Sequence, residues 1–170
     1  MEEIEVPTEH LTEEINEKAE ELYKEKERWT LLVAISTAVM AVLAAIAGLL
    51  AGHHSNEALI EQIKSSDQWA FYQAKSIKAE IRALQPVSDN NKTPQQIKEE
   101  EDAIKKRAED AEVASETHLQ KHIVLARAVT LLQIAIAISA IAILTRRRFM
   151  WWIAMAIALG GAVFLFEGII

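Results

Sequence analysis

The chain of 170 residues has no cysteine, which excludes disulfides, thiolate metal sites and cysteine nucleophiles and leaves the redox compartment open. Only five glycines and three prolines occur, and no glycine-rich phosphate loop is among them. No nucleophile stands at a recognisable spacing from a base. Carboxylate pairs abound, but on acidic helices such pairs are solvated faces, so no enzymatic machinery and no cofactor are expected. Basic charge is scarce as well: 18 lysines and arginines face 25 acidic residues, for a net charge of -7. The first 28 residues hold eleven acidic and four basic side chains, and the remainder balances at fourteen of each. A nucleic-acid partner would find no basic face.

What the chain has instead is segregation. Leu31 to Ala51 is a run of twenty-one residues without a charge, and a helix of that length rises about 30 Å, the hydrocarbon thickness of a bilayer. Ile123 to Leu144 and Phe149 to Phe166 are two further runs. The expected fold is all-α: an integral membrane protein with three transmembrane helices at 29–51, 123–144 and 149–166. Ahead of them lies an acidic segment, 1–28, with helix-start signals at Pro7 and Thr8 or Thr12, and it reads either as a docked helix or as a solvated tail that orders near Trp29. Ala44, Gly48 and Gly52, four apart on one face of the first span, offer a small-residue contact to another helix.

Between the first two spans lies a polar insert, Gly52 to His122. It divides at 86–94, where two prolines bracket polar turn formers. Before the turn, Ile60, Ile63, Asp67, Ala70, Ala74, Ile77, Ile81 and Leu84 alternate steps of three and four, the seam of a coiled coil with one polar interruption. After it, Thr93 and Pro94 start a helix whose thinner seam is Ile97, Ile104, Ala108 and Ala111. Two helices rooted at both ends in the membrane should fold back as an antiparallel hairpin about 50 Å long, seam to seam. With His53 level with His122, the midpoint falls in the turn, and Lys75 and Lys78 come opposite Glu99 to Asp102.

The histidines are the one candidate ligand set. His118 and His122 share a helix face and return to the level of His53 and His54, with Glu57 one turn away, so four imidazoles are candidates for a zinc, copper or nickel site. Adjacent His53 and His54 diverge by about 100°, which works against convergence. The other uses of the cluster are proton sensing, in which several charged imidazoles push the helix roots apart, and ordinary interfacial hydrogen bonding. Trp69 and Tyr72 lie opposite the seam and are candidate anchors for a neighbouring subunit, or else are covered by lysine and arginine stems, Arg107 among them. Arg127, Thr130 and Gln133 are the polar positions of the second span. Arg127 either snorkels to the interface or is a buried functional charge, and Gln133 either bonds another helix or serves as a transport ligand.

Topology follows from the turn at 145–148. Arg146, Arg147 and Arg148 belong on the cytoplasmic side, with Trp151 and Trp152 near the interface. The N-terminus is then cytoplasmic, and the hairpin and the C-terminal 167–170 are extracytoplasmic. Lys105, Lys106, Arg107 and Lys121 run against the charge rule; the first three lie some 20 to 27 Å from the membrane, where it acts weakly.

The stretch LLAGHHSNEALIEQIKSSDQWAFYQAKSIKAEI, with the ERW that leads into the first span, resembles a family of small bacterial membrane proteins known only as domain of unknown function 4337 (DUF4337). The run Ser66 to Lys78 carries most of the resemblance. It implies a bacterial membrane protein and no activity, cofactor or catalytic residue. The expected role is a self-associating structural or interaction module in the bacterial inner membrane, its partners the bilayer and copies of itself; the alternative is a small oligomeric channel, transporter or metal- or pH-sensing element.

Overall fold

A computed structural model describes the backbone of residues 8–84 and 94–170. It contains three helices in chain order, α1 (Thr8–Leu84), α2 (Pro94–Thr145) and α3 (Arg148–Ile169), and no strand among the described residues. Pro7 and all of the expected turn at 86–94 except Pro94 lie outside them. Pro94 opens α2, where its fixed φ and missing N–H are suited to a first helical turn.

α1 is one helix of 77 residues, about 115 Å at 1.5 Å per residue. It passes through the expected boundaries at 28/29 and 51/52 without a break, Gly52 included. Each of the three helices contains a stretch long and apolar enough to cross a membrane.

α2 lies between the other two. Met40 and Ala44 of α1 meet Leu132 and Ala135 of α2 and Ala158 of α3 in one buried cluster, and Ala47 and Ala51 meet Leu125, Ala128 and Leu165 in the next. The buried positions are mostly alanine, which lets the backbones approach closely. Close approach also depends on two glycines of α3. A Cβ at Gly161 would lie 2.9 Å from Leu132 Cγ and 3.3 Å from the Ala128 carbonyl oxygen, and one at Gly168 would lie 2.7 Å from Leu125 Cγ.

The expected small-residue contact of α1 is out of phase with the observed one. Ala44 is buried, but Gly48 and Gly52 are exposed, and Ala47 and Ala51 take the contact instead. Helices that pack side by side follow a seam with alternating steps of three and four; a strict step of four drifts off it.

α2 and α3 are joined by a tight reversal. Arg146 sits at φ 55 and Arg147 in extended conformation as the α3 N-cap. The left-handed region costs a residue with a Cβ about 1–2 kcal/mol and glycine almost nothing, so arginine stands here against local preference. Arg146→Gly is therefore expected to raise the thermal midpoint of the purified protein, by about 1 kcal/mol of stability at most. A lowered midpoint would mean that the Arg146 side chain holds the turn.

Candidate functional site

Where α1 and α2 leave their apolar stretches, three contacts tie them at a regular spacing. His122 Nδ1 lies 2.8 Å from the Ala51 carbonyl oxygen, His54 Nδ1 lies 2.9 Å from His118 Nδ1, and the Ser115 hydroxyl donates to the Ala58 carbonyl at 2.8 Å. Partner numbers fall in α2 as they rise in α1, so the helices run antiparallel. Further out, Lys75 pairs with Glu100. The expected register thus differs from the observed one by two or three residues at the histidines and agrees with it at Lys75.

Tautomers follow from these partners. A carbonyl oxygen only accepts, so His122 Nδ1 carries the proton and its Nε2 is left as the acceptor. In the His54–His118 pair one Nδ1 donates and the other accepts, so the two facing nitrogens share one proton. Protonating both would set two N–H groups against each other. The four imidazoles therefore do not converge: two share a hydrogen bond, His122 is turned to the Ala51 backbone, and His53 is exposed with its ring 5.4 Å from that of His54. No group of three His, Asp or Glu side chains among the described residues is placed to hold a metal. The divergence of neighbours on one helix is the physical reason.

His54 is held below the ordinary histidine range, first by burial, then by repulsion from His118, His53 and Lys121, with Glu57 acting in the opposite sense. A depressed pKa means that the unfolded chain takes the proton more readily. This contribution to stability is complete above the ordinary value of about 6.5 and is lost as pH falls through the lowered folded value. Amide exchange around Ala51 to Ala58, corrected for intrinsic rates, is accordingly expected to quicken between about pH 7.5 and about pH 5.5. His54→Leu with His118→Leu should flatten that dependence; an unchanged slope would show that this pair is not its origin.

The faces of α1 are turned the opposite way from the expected one. The isoleucine seam expected to meet α2 points away from it: Ile60 is 45%, Ile63 60%, Ile77 57% and Ile81 51% exposed, and Asp67, Ala70 and Ala74 between them are exposed too. The face turned to α2 carries Ala58 and Ser65, both buried, followed by half-buried Trp69 and Tyr72. Those two rings make an edge contact at 5.9 Å and 90°. They are opposite the seam, as expected, but that places them within the chain's own α1–α2 packing and removes the reason for seating a neighbouring subunit on them. A signal was present in the sequence. Steps of seven from Ala44 give Ala51, Ala58, Ser65, Tyr72 and Ala79, and one unbroken helix carries that phase outward from the apolar stretch. On α2 the expected stripe is the packed one, with Ile104, Ala108 and Ala111 buried, and Ser115 extends it by one more step of four.

Arg127, Thr130 and Gln133 all lie on the exposed surface of α2, and the Thr130 hydroxyl bonds its own helix at the Ala126 carbonyl. They do not enter the contact between helices, and Gln133 has no hydrogen-bond partner among the described residues. At the other end of the apolar stretches, Arg148 pairs with Glu25 at 2.6 Å and Trp151 Nε1 donates to Ser36 Oγ at 3.1 Å. The arginine turn and the acidic helical segment therefore share one side of the molecule.

No curated protein and no solved structure matches the chain. A family model matches residues 29–170, from Trp29 to the last residue, leaving out only the acidic segment. The chain therefore belongs to the family described as Domain of unknown function (DUF4337).

Proposed function

We propose that this protein is a three-span module of the bacterial inner membrane that presents a helical hairpin outside and assembles with copies of itself through the outer face of that hairpin. Support for insertion comes from where the apolar side chains point. Only 17, 28 and 22% of the most apolar windows of the three helices is buried within the chain, so the rest needs lipid as its cover. Arg146, Arg147 and Arg148 put the turn and the acidic segment in the cytoplasm, which places residues 52–122 and the C-terminus outside.

The observation that carries the assembly reading is the unpartnered seam from Ile60 to Leu84. A stripe of this kind in water is a contact surface. Its steps of three and four fit knobs into holes on an identical helix, and common embedding in one bilayer sets the same residue of every copy at the same height. The contact is therefore parallel and in register, with Asp67 as the polar seam position that fixes alignment at some cost in stability. Trp69 and Tyr72, by contrast, brace the hairpin internally.

The absence of native cysteine makes the test simple. Ala70→Cys, on the seam, is expected to cross-link between copies in membranes, whereas Glu109→Cys, on the exposed side of α2, is not; equal cross-linking would reject the seam. An impermeant thiol label should reach Lys78→Cys in cells with an intact inner membrane, and labelling only after that membrane is opened would overturn the topology. A second reading, a small channel or transporter, has one observation in its favour, the exposed Arg127, Thr130 and Gln133, which would line a path only between copies. Solute or ion flux in vesicles that stops with Gln133→Leu would replace the structural reading.

A further inference from the structure

Where the turn between α2 and α3 meets α1 there is a groove of about 500 Å³, lined among others by Lys26, Trp29, Ile143, Arg146 and Arg148. Its two ends differ in chemistry. At one end stand three cations, Lys26, whose ammonium lies 6.0 Å from the centre of the Tyr23 ring, Arg146 and Arg148, with Glu25 the one carboxylate of the lining, which Arg148 already engages. At the other, Trp29 and Ile143 sit at the borders of the first two apolar stretches. The Trp29 indole N–H is covered and has no hydrogen-bond partner, an uncompensated cost that an acceptor oxygen admitted beside it would remove. The nearby Thr30 hydroxyl donates to the Lys26 carbonyl at 2.9 Å and does not meet the indole N–H.

We propose that this groove binds an anionic phospholipid, its phosphate among Lys26, Arg146 and Arg148 and its acyl chains leaving past Trp29 and Ile143. The excess of positive charge calls for an anion, and the apolar end calls for an amphiphile; a free phosphate meets only the first demand. The site rests on the membrane reading given above, in which this side faces the cytoplasmic leaflet, where anionic lipid attracts basic residues next to a span. Arg146 and Arg148 then act twice, fixing topology and holding the lipid that anchors the turn to α1.

The test is native mass spectrometry of the full chain purified in neutral detergent and titrated with phosphatidylglycerol or with phosphatidylcholine of the same chain length. Phosphatidylglycerol is expected to be retained in preference by about five-fold or more, and Lys26→Gln and Arg146→Gln should each lower its retention about five-fold. Lys26 is exposed, so its replacement does not threaten the fold. Arg127→Gln, a cation of a different groove, should change nothing. Equal retention of the two lipids, or indifference to both groove substitutions, overturns the proposal; so does displacement of phosphatidylglycerol by millimolar inorganic phosphate, which would show a free-anion site. The same spectra report the number of copies, and binding in detergent does not depend on which side the turn faces, so failure of the assembly or topology reading is seen separately.

Discussion

Ile63→Glu combined with Ile77→Glu is expected to break the proposed assembly down to monomer in detergent and to abolish cross-linking through Ala70→Cys. Each isoleucine is already partly covered in the single chain, at 60 and 57% exposure, so about half of its burial remains to be gained on association. With 1.5–3 kcal/mol for full burial of such a side chain, that is about 1 kcal/mol each, or about 4 kcal/mol for the four isoleucines of a pair. The expected loss is therefore about a thousandfold in affinity, before any repulsion between the new carboxylates. Both positions face away from α2, so the contacts from Ala51–His122 to Lys75–Glu100 should survive, and helix content by circular dichroism should not change. Asp67→Ile is expected to act in the opposite direction, tightening association while relaxing register. A mass in detergent that is the same for the parent and the double variant would reject the seam.

Gly161→Val is expected to detach α3 from α2. Even a Cβ at this position meets the Ala128 carbonyl oxygen at 3.3 Å and Leu132 Cγ at 2.9 Å. The first of these is backbone and cannot turn aside, and the second belongs to a fully buried side chain. Overpacking of this kind costs about 1–3 kcal/mol, and the branched side chain of valine places it at the upper end. Gly168→Leu should act similarly against Leu125. Gly48→Ala provides the contrast, since its Cβ would lie 4.0 Å from Val129 Cγ2, an ordinary contact, and alanine is the better helix former by up to about 1 kcal/mol. Thermal unfolding of the three variants in one detergent checks the order: Gly48→Ala at or above the parent, the other two well below it. Equal midpoints would mean that α3 is not held by this close approach.

These two results test different parts of the molecule, and the sequence prepared for them unequally. Helix, length and apolar stretch are local properties, written in composition and periodicity, and Pro94 could be read as the start of α2 for the same reason. The Lys75–Glu100 pair was also foreseeable, because an antiparallel register counted out from the expected turn at 86–94 is simple arithmetic. The histidines were legible as a cluster but not as a bonding pattern. Which nitrogen meets which partner depends on rotamers that are set when Ala51 and Ala58 let α2 come close enough to reach their carbonyls.

By itself, then, the amino-acid sequence determined an all-α chain with three apolar stretches in known places, a basic turn between the last two and a polar insert between the first two. Only the tertiary structure decided which face of α1 meets α2. Outside the apolar stretch, α1 carries two stripes at nearly the same period, one of isoleucine and one of alanine, serine, tryptophan and tyrosine, and hydrophobicity alone favours the first. The second wins because α1 is a single unbroken helix: its phase is fixed by the packing of Met40, Ala44, Ala47 and Ala51 against α2 and is carried rigidly outward. The isoleucine stripe is thereby left exposed on the outer surface of α1.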